Sequence, residues 1–542
     1  DDREIVFDIL GDIFIMPING GRAYPVAEGM PWEVQPRFSP DGNKILFTSD
    51  RGGGDNIWIM NRDGSDKTQI TNEAFRLLNN AVWHPNGEYF VARKHFTSTR
   101  SLGAGEMWMY HITGGAGIQL TERKNDQQDA GEPAFSPDGR YVYYSEDVDG
   151  AGYFTYNKNP HAQIYVIKRF DTQTGELNTI VSGPGGAVRP QISHDGKYLS
   201  FVRRVRQKTV LYVHDLETGE EWPVFDRLNK DQQETWAIFG VYPNYQWLHN
   251  NKEIIIWAKG TFWRINIETT AATKINFEVT MNHRIAKAVN FPQEVSPDNF
   301  EAKMIRHGQT SPDGNTLIFH AAGYLYSKTL PDGTPKRLTS NEEWEYHPSF
   351  SADGEYLTYT TWTDEGLSEI KVREMSSGVT RKVNDRKGYY RYPRFSPDGK
   401  QILYERTGGT TQLGYAFGKD RGIYICNRSG SEHTLVTESG TSPYWAPDGK
   451  HIYYTTGGGL SKSFKSIGVD GKDELTLFTS SYARDFVPSP DGKWIAFTEL
   501  FNAYVAAFPK TGRVVNLSQS SSSYPVFGVT RDAGTSLHRI EV

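Results

Sequence analysis

The residues of this chain with chemistry to offer are charged side chains set where β-strands favour few. Arg93, Lys94 and His95 stand together inside an apolar run, Arg203 and Arg204 hold the corresponding place in a later run, and Arg100 and Glu106 bound a Gly-containing stretch between strands. Charge inside a strand is disfavoured unless it faces solvent, a partner or a lumen. Two uses fit: a polar site at the mouth of a ring, or salt bridges between neighbouring repeats, which is the commoner employment. A second set accompanies a recurring proline, at Gln35-Pro36, Glu132-Pro133, Arg189-Pro190, His347-Pro348, Tyr392-Pro393 and Ser442-Pro443. Proline is tolerated in a strand only where no ladder donor is needed, which suits an inner edge facing a channel. Glu132, Arg189, His347 and Arg391 are therefore candidates for contact with whatever enters, against the alternative of a hydrated lining. If His95 or His347 met a Tyr and an Arg at hydrogen-bond distance, general-base chemistry of the polysaccharide-lyase kind would be open.

The elements that must position these residues are announced by a repeated turn. Ser39-Pro40-Asp41-Gly42 returns at Ser136, Ser311, Ser396 and Ser489, with worn copies at His84, Ser193, Ser351 and Ala446. Pro presets the turn, Asp bonds its own backbone, and Gly supplies the positive φ. Aromatic and branched runs flank each copy, for example Ile45-Leu46-Phe47 after the first and Asn56-Ile57-Trp58-Ile59-Met60 beyond it. Four antiparallel strands per unit, repeated radially, predict an all-β chain of β-propeller blades. Third-strand runs indicate about eleven units, more than the roughly four to eight that one ring holds, so tandem propellers are expected. The period lapses between Asn276 and His307, which divides the chain into an N-terminal propeller (1–275), an irregular connection (276–307) and a C-terminal propeller (308–542). The start reads as a second strand lacking its first. Near the end, Tyr524-Pro525-Val526-Phe527 reads as a first strand and Leu537-His538-Arg539-Ile540 as a second.

Composition sets bounds. A net charge of -6 gives no basic face for nucleic acid. No apolar run approaches the roughly 18 residues of a membrane span. The single cysteine, Cys426, excludes an internal disulfide and reads as a buried thiol. No Gly-x-Ser-x-Gly elbow and no phosphate or dinucleotide loop is present. Asp147-Val148-Asp149-Gly150 resembles the start of a calcium loop without its closing Glu, and a solvated turn is the reading preferred.

The repeat Phe-Ser-Pro-Asp-Gly, with Ile57-Trp58-Ile59-Met60-Asn61-Arg62-Asp63-Gly64 after its first copy, resembles the TolB-like propeller repeat, also found in tricorn and prolyl-oligopeptidase propellers. Ala92 to Glu106, Gly183 to Pro190, Phe201 to Arg206, Trp236 to Pro243, Thr361 to Glu365 and Thr530 to Gly534 resemble the TolB-like region preceding the catalytic domain in large bacterial exported amidohydrolases. The resemblance implies a periplasmic or secreted protein and a binding or gating role toward peptide-like or amide substrates. It also implies a divalent metal held by a catalytic domain beyond Val542. The His-x-His pair such a domain needs is absent from these residues, so no cofactor, no metal and no catalytic residue is expected within them. The expected partner is that catalytic domain or another protein, a TolB-like interaction scaffold being the alternative.

Overall fold

The structure is a computed structural model, and it describes residues 2–75, 77–99, 102–150, 152–153, 159, 161–206, 208–229, 244–287, 289, 291–409, 418–509, 514–520 and 524–530. Arg100, the segment Trp236 to Pro243, and Arg531 onward with the strand expected at Leu537 to Ile540 lie outside these residues.

Among the described residues every regular element is a strand, and the chain forms tandem propellers of antiparallel sheets. It divides into two compact units, one reaching Phe291 and the other starting at Pro292. Among the described residues, six blades, numbered 1 to 6, belong to the first unit and five, blades 7 to 11, to the second, and a further two-stranded sheet lies in the first unit. Blade 2 is typical: its inner strand Glu33–Phe38 pairs with Lys44–Ser49, then Asn56–Asn61, then the short outer strand Thr68–Gln69. Blade 1 has the three strands Glu4–Ile9, Asp12–Pro17 and Tyr24–Ala27.

The turn repeat acts as the sequence requires. Ser39 Oγ donates to Asp41 Oδ1 and accepts from the Lys44 amide at 2.9 Å, while Asp41 accepts from the Asn43 amide at 3.1 Å. Gly42 sits at φ 74°, a conformation that leaves little choice of residue. The same hydroxyl-to-carboxylate clasp recurs at Ser136/Asp138, Ser193/Asp195, Ser311/Asp313, Ser351/Asp353, Ser396/Asp398 and Ser489/Asp491.

Blades bury their faces against each other, since a sheet has two apolar faces and no other cover. In the first unit the core comes as clusters between successive blades. Ile15, Phe47 and Met60 join blades 1 and 2; Leu46, Phe90 and Tyr110 join blades 2 and 3; Val142, Val91 and Met107 join 3 and 4; Tyr143, Leu199 and Phe201 join 4 and 5; Leu211, Trp247 and Ile256 join 5 and 6. Phe7, Phe14 and Met16 of blade 1 meet Phe262 and Ile275 of blade 6, closing the ring, and Phe277–Glu278 pairs in parallel with Gly21–Arg22.

Three expectations need correction. Val526–Gly528 is not a first strand but the outer strand of blade 11, bonded to Asn502–Ala507, because Val515–Asn516, next along the chain, pairs in parallel with blade 10 instead. The Gly-containing stretch before Glu106 is no connection: Tyr89–Thr99 and Leu102–His111 form one long hairpin with Lys94 opposite Glu106. Asp147 is buried at the end of a strand rather than solvated. Residues 279–305 carry no strand among those described, and Ile285, Phe291, Val295 and Phe300 there are exposed.

Candidate functional site

The inner strand of most blades contains one irregularity, always at the same place. Four residues before the first position of the turn, Gln35, Asn80, Glu132, Arg189, His307, His347, Tyr392 and Ser442 adopt φ between 51° and 61°. Each lies where the pairing register slips, as between Val34 and Arg37 or Gly131 and Ala134. This is a β-bulge, which bends a strand and re-aims a side chain, and left-handed backbone at a non-glycine residue persists only where the surroundings enforce it. The proline in six of these eight blades gives up a donor that the bulge has already freed. Since the bulge recurs, it belongs to the fold; since its residue changes from blade to blade, chemistry is written in the identities.

In the first unit these side chains link successive blades. Gln35 Oε1 accepts from the Asn80 amide at 2.8 Å and from Thr48 Oγ1 at 3.1 Å, and the Gln35 amide donates to Asp8 Oδ1 at 2.9 Å. Glu132 accepts from the Arg189 amide at 2.7 Å and from Ser145 Oγ at 2.8 Å, and Arg189 Nε lies 3.1 Å from Glu132 Oε1. Both side chains of that pair are buried, so they lock blades 4 and 5 together. Tyr245 donates its hydroxyl to the Arg189 carbonyl.

Asp8 and Arg37 differ. Arg37 reaches Asn244 Oδ1 at 2.9 Å and Gln246 Oε1 at 3.4 Å. Asp8 is exposed and Arg37 half-buried, yet burial is the leading influence on both: it raises the Asp8 carboxyl, and with repulsion from Arg189 it brings Arg37 down to about 10. Water thus reaches both groups although protein surrounds them on most sides.

The charged strand residues are tied into the blades. Arg93 is fully buried and grips Asp129 of blade 4 with Nη2 at 2.7 and 2.9 Å, while its Nε donates to the Ala130 carbonyl at 3.1 Å. Burial outweighs this partner and pushes the Asp129 carboxyl up to about 6. Gly105 makes the grip feasible, for a Cβ there would stand 2.0 Å from the Ala130 carbonyl and 2.6 Å from Arg93 Nε. Lys94 pairs with Glu73 over the Trp108 ring. Glu106 accepts from Trp108 Nε1 and Gln119 Nε2 at 3.0 Å and from Arg123 at 2.7 Å. Arg203 bonds Glu221 at 2.6 Å and the Gly186 and Ser182 carbonyls at 3.0 Å. His95 and Arg204 are buried in their sheets. Cys426 is buried, which pushes its thiol up to about 12.

In the second unit, bulge residues of three consecutive blades touch. The His307 and His347 rings lie 4.7 Å apart and the His347 and Tyr392 rings 4.4 Å apart. His320 stacks on Tyr346 at 5.1 Å and meets His307 at 5.8 Å. His347 Nδ1 is 3.0 Å from Thr360 Oγ1, whose hydroxyl donates to the Tyr346 carbonyl at 3.2 Å, so His347 is the donor in the first of these bonds. Arg391 is exposed beside Tyr392, and opposite Glu405 in the ladder. The sequence singles out His347 as a candidate and Tyr392 as the residue before its proline, but not His307, His320 or Tyr346. The signal for His307 and Tyr392 was the fixed distance to the turn, which holds with or without proline.

Among proteins of known sequence, the chain is similar to the uncharacterized peptidase YuxL of Bacillus subtilis, 26% identical over 191 residues, which is 35% of this chain and 24% of that protein. It is also similar to a putative tricorn-like protease C-terminal subunit of Sulfurisphaera tokodaii, 29% identical over 108 residues, 20% of this chain and 11% of that one. The chain thus spans under a third of the length of these relatives. Among solved structures, the tricorn protease aligns over 94% of this chain and 48% of its own at 14% identity and a TM-score of 0.38. The putative TolB of Agrobacterium tumefaciens aligns over 64% and 100% at 18% identity and a TM-score of 0.26. The family model described as the TolB β-propeller domain, PD40, matches residues 8–156 and 331–522, more than half of the sequence, and the chain belongs to that family.

Proposed function

We propose that this chain is the propeller region of a larger exported hydrolase and that it selects peptide-like substrates without itself cleaving them. The observation that supports the reading is the recurring bulge, which sets one residue of variable identity at the same inner-strand position of eight blades, with Asp8 and Arg37 accessible to water close to Gln35 in the first unit. A lining of opposite charges, amides and hydroxyls recognises a peptide by orientation and charge, and such groups cost affinity when a substrate leaves them unpaired. The likeness to a peptidase and to a tricorn-like protease subunit supports a hydrolase parent. The amidohydrolase class, its divalent metal in a separate catalytic domain, and export to the periplasm or beyond complete the proposal on the strength of the sequence resemblance.

The test compares this chain with the longer protein. The chain alone is expected to leave amide substrates intact. In the longer protein, Arg37→Gln is expected to lower turnover of long peptides several-fold while sparing dipeptides, because a lumen acts on what must pass it. Equal loss at every length, with the fold intact by circular dichroism, rejects selection by the lumen. Hydrolysis by residues 1–542 alone rejects the division of labour.

A further inference from the structure

The cluster of rings in the second unit has a composition unlike the lumen of the first. His307, Tyr346, His347 and Tyr392 come from the inner strands of blades 7, 8 and 9, and His320 from the strand beside His307. All five are half-buried, so a solute can reach them. Arg306, the residue before His307, lies opposite His320 in the ladder, and its charge acts on both His320 and Tyr346. Neither ring nitrogen of His320 meets a hydrogen-bond partner among the described residues, and both are shielded from water. Burial first, and Arg306 second, lower the His320 pKa, so its ring stays neutral and serves with Tyr346 as a flat aromatic wall. The cationic charge beside that wall comes from Arg306, which is exposed and whose guanidinium donates, among the described residues, only to the Met304 sulfur at 3.9 Å.

We propose that this cluster is a binding site for a carboxylate-bearing ligand, with Arg306 pairing the carboxylate and the His320–Tyr346 stack seating the planar group or ring next to it. Guanidinium matches carboxylate geometry with two parallel donors, and it is less strongly hydrated than an ammonium, so it gives up water readily. A stacked imidazole and phenol offer an apolar face on which such a group can lie. An anion is favoured here because Arg306, exposed and paired with His320 across the ladder, sets a cation beside the ring wall. The inference deepens the substrate-selection reading, on which its peptide form rests: the carboxylate would then be the free C-terminus of a short peptide. A sugar acid presents the same chemistry from another source.

The experiment is binding to residues 1–542, measured by isothermal titration calorimetry. The probes are N-acetyl-Gly-Gly-Phe, its C-terminal amide, glucuronate and glucose. The expected result is binding of the free acid at least tenfold tighter than of the amide, a loss of at least tenfold with Arg306→Gln, and no change with Lys124→Gln at an exposed residue of the first unit. Tighter binding of glucuronate than of the peptide acid keeps the carboxylate site and assigns it to sugar acids. Equal binding of acid and amide, or of glucuronate and glucose where the peptide acid fails, overturns the proposal. So does sensitivity to Arg37→Gln with indifference to Arg306→Gln, which would leave selection by the first lumen standing. Absence of binding by all four probes overturns the site alone, since the substrate-selection reading is judged by turnover in the longer protein. Because Arg306 is exposed, its variant is expected to fold; Tyr346→Leu, which removes the stack and keeps the charge, is expected to weaken the peptide acid several-fold and serves as the second variant.

Discussion

Arg93, inside the second strand of blade 3, holds Asp129 at the entrance to blade 4 through a fork of bonds at 2.7 to 3.2 Å, with the guanidinium fully buried. The charges found in the sequence are thus spent here on joining two blades. Removing one partner of such a pair leaves a buried charge alone, which costs about 3–5 kcal/mol. Arg93→Met is expected to lower stability by that amount in urea at pH 8. The loss should shrink at pH 5, because Asp129, whose carboxyl burial already raises, can then fold protonated. A loss independent of pH assigns the effect to packing instead.

The clasped turns make an acid-sensitive seam. At Asp41, Asp138, Asp313, Asp353, Asp398 and Asp491 the bond from the neighbouring serine leads the influences that hold the carboxyl below its ordinary value of 3.8. A folded-state pKa below the unfolded one contributes stability that is present above 3.8 and lost as pH falls through the folded value, near 2 for Asp491. Melting temperature is expected to fall between pH 4 and pH 2, and by less in a variant with two of these aspartates changed to asparagine. Identical acid profiles would remove the turns as the cause.

Closure of the first ring rests on Phe262, whose ring meets Phe7, Phe277 and Trp257 at 5.2 to 5.3 Å. Phe262→Ala is expected to cost about 3–5 kcal/mol and to speed hydrogen exchange first in Glu4–Ile9 and Glu253–Ala258, the strands it joins. Exchange raised evenly over the unit would mean that closure is not a local seam.

Limited proteolysis is expected to cut first within residues 279–305, where the described backbone carries no strand and several large apolar side chains are exposed. Mass spectrometry of the first fragments checks this, and a first cut inside any blade would count against it.

The sequence by itself determined the repeat and hence the fold. Ser-Pro-Asp-Gly specifies its turn through bonds spanning five residues, from Ser39 to Lys44, and local chemistry of that kind is legible without neighbours. It also determined the bulge positions, since His307 and Tyr392 stand at the same distance from their turns as Gln35 and Glu132. What the tertiary structure decided is the use of each side chain. Arg93 and Arg37 are alike as residues in strands, yet one is sealed against Asp129, far along the chain, and the other reaches Asn244 and Gln246 from blade 2. His320 joined the ring cluster because its strand pairs with the one holding Arg306 and His307. Those contacts cross between strands and blades, and only the stacking of whole sheets sets which side chains come to face one another.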